Sequence, residues 1–318
     1  MRRAPFHLIG TIGFIILAAS QVDGRDLYVN NLSGNDRNNG QLAEQSAPGE
    51  GPTRTIQRVI SLASFGDRIV IANTGEPYRE CISLQTSRNS GSVSFPFVIE
   101  GNGAILDGSG VIPVEDWQPF EADILAYRPS KLKSYQQVFL DGRPAERIAI
   151  SDRSSLNKLK PKQYCRVGQE LYFRVEAGKT PGDYDLQQSV HRAGITLYGV
   201  QNVHIRNLIV QGFQIDGISA SDNAFDCKLV GVTARGNGRS GVNVGGASKL
   251  MIDSCVIGDN STAQLRTEGW STTVVVSTEL LESTAPAFEM NGGKLKIDGE
   301  AKFRPPQISM SKSPLHRP

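Results

Sequence analysis

Three consecutive stretches of the chain repeat with spacings of 23 and 24 residues: GITLYGVQNVHIRNLIVQGFQID from Gly194, GISASDNAFDCKLVGVTARGNGRS from Gly217 and GVNVGGASKLMIDSCVIGDN from Gly241. A fixed period of this length marks a solenoid, in which no repeat can bury its own apolar face. Within each unit apolar and polar residues alternate. The apolar sets are Ile195/Leu197, Ile218/Ala220 and Val242/Val244, then Val203/Ile205, Cys227/Leu229 and Leu250/Ile252, then Leu208/Val210, Val232/Ala234 and Cys255/Ile257. A period of two means strand, not helix. Each unit therefore offers three short strands joined by turns rich in Gly, Asn and Asp. Stacked at about 4.8 Å, they would make each inward position a ladder of aliphatic side chains.

The expected class is all-β, a parallel β-helix, and strand-connection chirality favours the right-handed path. A leucine-rich repeat would need dense leucines and a helical return, which are absent. Further coils are expected upstream, at Ile69/Ile71, Ile82/Leu84, Val98 and Ile105/Leu106. Downstream they are expected in TTVVVSTELL and PAFEMNGGKLKIDG, for six or seven coils in all. Ile56, Val59, Ile60 and Ala63 recur at helical spacing, with Pro52 before and Gly66 after them, predicting an N-terminal capping helix. Residues 111–192 break the rhythm with Trp117, Tyr135, Phe139, Tyr172 and Phe173 among turn signals such as DGRP and TPGD, predicting an inserted β-rich subdomain. The chain thus divides into a leader (1–20), a cap and first coils (21–110), the insertion (111–192), the main coils (193–300) and a proline-rich cationic tail (301–318), expected to be disordered.

The leader follows from Arg2 and Arg3, the apolar run Leu8 to Leu17 and the small residues Ala18, Ala19 and Ser20, the pattern of a secretory signal. The protein is expected to be secreted, periplasmic or on the cell surface. The apolar run is shorter than the roughly 20 residues a bilayer requires, so no membrane span is expected. Without the two leader arginines the chain is formally neutral, which gives no support to nucleic acid as a partner. Cys81, Cys165, Cys227 and Cys255 are too sparse for a disulfide scaffold. Cys227 and Cys255 fall in different columns of the repeat, which argues against a bridge between them.

DLYVNNLSGNDRNNG and GPTRTIQRVISLASFGDRIVIANTGEPYRE resemble the N-terminal cap and first coil of secreted bacterial proteins with the pectate-lyase-like right-handed parallel β-helix. The resemblance covers most of residues 26–257. VFLDGRP, LYFRVEAGKTP and AGITLYGVQNVHIRNLIVQGF also resemble β-helix proteins of polysaccharide breakdown, including some lyases and glycoside hydrolases. What this implies is a polysaccharide partner and, for a lyase, often calcium. The enzymes of this group usually have more coils, and no residue set carries over as catalytic.

A uronide lyase needs carboxylates to hold a hard cation and a Lys or Arg to take the α-proton. Asp216, Asp222 and Asp226 are the candidate metal ligands, with Lys228, Arg235 and Arg239 close in sequence. Asp216, Asp222, Lys228 and Arg239 form the candidate catalytic set. The same residues equally suit solenoid turns and a solvated wall. A glycoside hydrolase needs two carboxyls across a cleft, for which Asp216 with Asp222, or Asp253, are available. His204 should face outward in one column with Lys228 and Met251. His191 lies by the end of the insertion. Tyr198 and Phe213, at turns, suit either sugar stacking or packing against neighbouring coils. The function expected is a polysaccharide lyase or hydrolase; the alternatives are a non-catalytic glycan-binding module or a truncated, inactive relative.

Overall fold

The computed structural model describes residues 24–85, 87–130 and 134–303; the expected leader and residues 304–318 lie outside the described residues. The chain winds through three parallel walls. The first holds Ile82–Gln85, Ile195–Tyr198, Asp216–Asp222, Ser240–Val244 and the leading halves of Ala263–Val276 and Phe288–Ile297. The second runs from Asp26–Val29 through Arg68–Ile71, Phe97–Glu100, Val203–Arg206, Cys227–Val230 and Lys249–Asp253 to the trailing halves of those two long strands. The third holds Ile105–Asp107, Ile209–Gln211, Thr233–Arg235, Val256–Gly258 and Glu279–Leu280. Among the described residues this gives six, eight and five rungs, so the second wall exceeds the expected number of coils.

The expected columns are present. Ile205 pairs with Leu229 and Leu229 with Ile252, Ile195 with Ile218 and Ile218 with Val242, and Val210 with Ala234 and Ala234 with Ile257. All these side chains are buried in one core. In Phe97–Glu100 the inward pair is Phe97 and Ile99, aligned with Val203 and Ile205, and Val98 lies opposite His204 on the outward register. That strand has three apolar residues in a row, and Glu100 alone marks its outward register.

Two of the three corners have a device of their own. Between the second and third walls Asn207, Gly231, Ser254 and Ser277 take a left-handed backbone, with φ from 47 to 62°. Gly and Asn adopt this conformation most readily. Between the third and first walls a buried amide ladder joins successive coils. The Phe213 N–H donates to Asn237 Oδ1 (3.1 Å), the Asn237 N–H to Asn260 Oδ1 (2.9 Å) and Asn260 Nδ2 to Gln264 Oε1 (2.8 Å).

The helix Ile56–Leu62 forms as expected and buries Ile56, Val59 and Ile60 against the first rungs. Its free N–H groups are met by Thr55, and by the Glu80 carboxylate, which accepts from Ile56 (2.9 Å) and Gln57 (2.8 Å). At the other end Glu300–Lys302 folds back antiparallel on Leu295–Ile297, so the tail expected from residue 301 begins as strand. The insertion leaves through Ser109–Val111 and returns through Leu186–Ser189, which pair antiparallel. Between them lie further strands of two sheets around cores of their own, one of which includes Trp117, Tyr127 and Phe173. No helix among the described residues is long and apolar enough to cross a membrane.

Asn260→Ala should lower the unfolding free energy by about 1–3 kcal/mol, because it leaves the Asn237 N–H buried without an acceptor. A urea unfolding curve measures this; an unchanged midpoint would show that the ladder contributes nothing.

Candidate functional site

Because inward positions of the middle rungs are apolar, their chemistry lies on the outward columns. On the first wall one such column reads Ser83, Thr196, Ser219, Asn243, Arg266 and Glu289, each beside the next on successive rungs. Every member carries a hydrogen-bonding group. Asn243 is only 4% exposed, and its Oδ1 has no hydrogen-bond partner among the described residues.

The charged end of this strip is a network across four rungs. Asp216, buried, accepts from Arg239 Nε (2.9 Å) and Ser240 Oγ (2.6 Å). Its hydrogen bond raises the pKa of Arg239 further. Arg239 Nη1 also lies 4.0 Å from Glu268. Arg266 donates through Nη2 to Glu268 (2.8 Å) and through Nη1 to Glu289. The two glutamates contact different terminal nitrogens of one guanidinium, so their near oxygens lie at most about 8 Å apart, inside the outer limit of roughly 9.5 Å for the carboxyl pair of a glycosidase. Both are partly exposed.

The strip has two margins. On one side the insertion leans on the solenoid corner: Gln137 Nε2 donates to Ser261 Oγ, and a Cβ added at Gly238 would meet Tyr135 O at 2.3 Å. The other side is the turn between first and second walls, where Trp270 is 90% and Tyr198 52% exposed.

The residues singled out from sequence are divided by this geometry. Asp216 and Arg239 do meet, as an ion pair in which Asp216 is buried and Arg239 is 21% exposed. Asp222 ends the same seven-residue strand, roughly 20 Å along it. There it accepts from the Ala247 N–H (3.2 Å). Asp226 has a left-handed backbone and immediately precedes Cys227–Val230 of the second wall. The three aspartates therefore do not form a calcium site, and Asp216 with Asp222 cannot be a hydrolytic pair. No cluster of three metal-ligating His, Cys, Asp or Glu side chains occurs among the described residues. Asp253 and Lys228 face outward on the second wall, and Arg235 on the third donates to Gln211 (3.0 Å). Phe213 is fully buried, so it packs and does not stack on sugar. His191 Nδ1 lies 3.7 Å from Cys81 Sγ. All four cysteines are free, and burial pushes the Cys227 thiol up to about 11.

Sequence reasoning passed over Arg266, Glu268 and Glu289. The signal was available: Arg266 and Glu289 follow Asn243 at steps of 23, and LRTE alternates like the strands before it.

On the second wall His204, Lys228, Met251 and Val274 form one outward column. They line an open groove of about 450 Å³ together with Val93, Asn202, Asp226, Lys249 and Thr272. Burial, with Lys228 and Arg206 beside it, holds His204 down at about 4.

A family model described as "Right handed beta helix region" matches residues 187–303. The chain is a right-handed parallel β-helix. A solved glycoside hydrolase shares this fold, with a TM-score of 0.60 over 87% of this β-helix chain and 74% of that chain, at 9% identity. A XylC complex with xylose aligns at a TM-score of 0.42 (12% identity, 86% and 69% covered) and pectate lyase Pel9A at 0.32 (11% identity, 88% and 79% covered). No curated protein matches the sequence of the β-helix.

Asp216→Ala should destabilise the β-helix by about 1–3 kcal/mol, since it removes charge-assisted hydrogen bonds to Arg239 and Ser240 while Arg239 keeps Glu268 at 4.0 Å; thermal and urea unfolding both report this. His204 gives a pH signature. Its folded value near 4 lies below the ordinary 6.5, so the unfolded chain binds the proton first. Its share of stability is complete above pH 6.5 and declines as the pH falls toward 4. His204→Gln should flatten the stability–pH curve in that window, and proton NMR of the imidazole should show it neutral at pH 5.5.

Proposed function

We propose that this β-helix binds a polysaccharide along its first wall and hydrolyses it, with Glu268 and Glu289 as the carboxyl pair. The observation that carries the reading is the placement of two partly exposed carboxylates across one guanidinium, at the end of a straight ladder of polar side chains. Stacked rungs align the partly exposed Ser83, Thr196, Arg266 and Glu289 in one column, with Ser219 and Asn243 buried between them, and such a column of polar groups suits a polymer with a regular repeat of hydroxyls. The insertion and the Tyr198/Trp270 corner bound the strip, and an exposed indole is a stacking platform for a sugar ring.

In hydrolysis one carboxyl delivers a proton to the glycosidic oxygen as it leaves. The other, as carboxylate, either activates water or attacks the anomeric carbon; the separation of the pair decides which. Arg266 positions both, and the Asp216–Arg239 pair fixes the neighbouring guanidinium against Glu268. Such a polymer lies outside the cell, where a leader at residues 1–20 would deliver the protein. A non-catalytic glycan-binding module is the second reading, favoured by the hydroxyl and amide members of the ladder, which need no chemistry to hold a chain.

Purified protein should release reducing ends from one or more neutral or acidic polysaccharides, without the ultraviolet-absorbing unsaturated products of elimination. Glu268→Gln and Glu289→Gln should each lower kcat by about 10²–10⁴-fold while leaving glycan affinity in place. Trp270→Ala should weaken binding with kcat preserved. Binding without either product would establish the module; unsaturated products would replace hydrolysis with elimination.

A further inference from the structure

The outward face of the second wall differs chemically from the first. One column contains Lys228, Met251, Val274 and Lys296 on four successive rungs, and the column beside it contains Lys249, Thr272 and Lys294 on three. The four lysines are exposed, whereas Met251 and Val274 are half-buried. The ion-paired lysines among the described residues are Lys162, Lys179 and Lys302, so none of these four has a carboxylate within 4.0 Å. Asp226 lines the same groove at its rim, and the exposed Val93 flanks it. Lys249 Nζ lies 5.9 Å from the centroid of the Phe225 ring, which leaves Lys228, Lys294 and Lys296 without an ion-pair or ring partner among the described residues. Like charges on adjacent rungs repel one another, and a chain with a formal net charge of only +2 has concentrated them here. The pKa of His204 is lowered first by burial and then by Lys228 and Arg206 beside it.

The spacing is regular. Lys249 and Lys294 stand two rungs apart, about 9.6 Å, and Lys228 and Lys296 three rungs apart, about 14 Å. Between them runs a shallow apolar floor parallel to the solenoid axis. A membrane surface would require apolar side chains projecting beyond the charges, and here they form the floor. Single-stranded nucleic acid would require aromatic platforms for successive bases, which this floor does not offer. A linear polymer with spaced anionic groups and flat, weakly apolar ring faces fits both features.

We infer that the second wall is a separate binding face for an anionic polysaccharide. Lys228, Lys249, Lys294 and Lys296 meet its carboxylate or sulfate groups, while Met251 and Val274 support its rings. The inference shares only the ligand class with the first-wall reading and uses none of its residues.

The test measures binding of the full chain to polygalacturonate, dextran sulfate and unmodified dextran at fixed ionic strength. Retention on polygalacturonate would assign carboxylates, and on dextran sulfate sulfates. Either anionic polymer should bind at least tenfold more tightly than dextran, and the preference should decline with salt. Lys249→Ala/Lys294→Ala, with circular dichroism confirming the fold, should lose at least tenfold in affinity for that polymer. Glu268→Gln/Glu289→Gln should bind as the parent does. Met251→Glu, which places an anion on the floor, should also weaken binding. The inference is overturned if the double lysine variant binds like the parent, or if anionic phospholipid vesicles or a DNA fragment bind as tightly as the polysaccharide. If the glutamate variants keep full hydrolytic activity while the lysine variants lose affinity, the first-wall reading fails and this one stands.

Discussion

The structure depends on one constraint, that each rung hydrogen-bonds to the rungs on either side at a fixed separation. A strand in this stack has no freedom of register: a slip of one residue would turn its aliphatic side chains out and its polar ones in. In the middle rungs Ile205, Leu229 and Ile252 cover one another, and the same stacking aligns His204, Lys228 and Met251 on the outside. The core and the surface chemistry are two faces of one lattice. The corners keep the lattice in step through left-handed residues and through the Asn237–Asn260 amides, which meet polar demands that aliphatic columns cannot.

The ends show where stacking alone fails. The first rungs are closed by a helix of only seven residues whose N-terminus is capped from elsewhere in the chain, by Glu80. Burial raises the pKa of Glu80, so the contact that fixes the plug also carries a desolvation cost. At the last rungs the interior turns polar, with Thr267, Ser271 and Thr273 fully buried, and the chain doubles back instead of adding another parallel rung.

Much of this was legible in the sequence because periodicity is a local property. The columns through Gly194, Gly217 and Gly241, the capping helix and the existence of the insertion all follow from the order of apolar and polar residues. The phase of Phe97–Glu100 was harder to read, since Phe97, Val98 and Ile99 are apolar in a row and Glu100 alone marks the outward face. The site was less legible for a different reason. Asp216, Asp222 and Asp226 are close along the chain, and closeness along the chain misleads in a solenoid: a strand of seven residues carries Asp216 and Asp222 to opposite ends, and the next corner sends Asp226 onto another wall. Residues one period apart are the true neighbours, as Asn243, Arg266 and Glu289 are. A search by period finds the strip that a search by cluster passes over.

The antiparallel stem formed by Ser109–Val111 and Leu186–Ser189 bears on how such a molecule changes over time. The excursion departs and returns at adjacent points, so topologically the entire subdomain is a corner, exchangeable for a short loop without shifting any rung. Lineages could therefore enlarge, trim or replace this module while the ladders beneath it stay in register, and the margin beside Arg239 would be reshaped before the scaffold itself is.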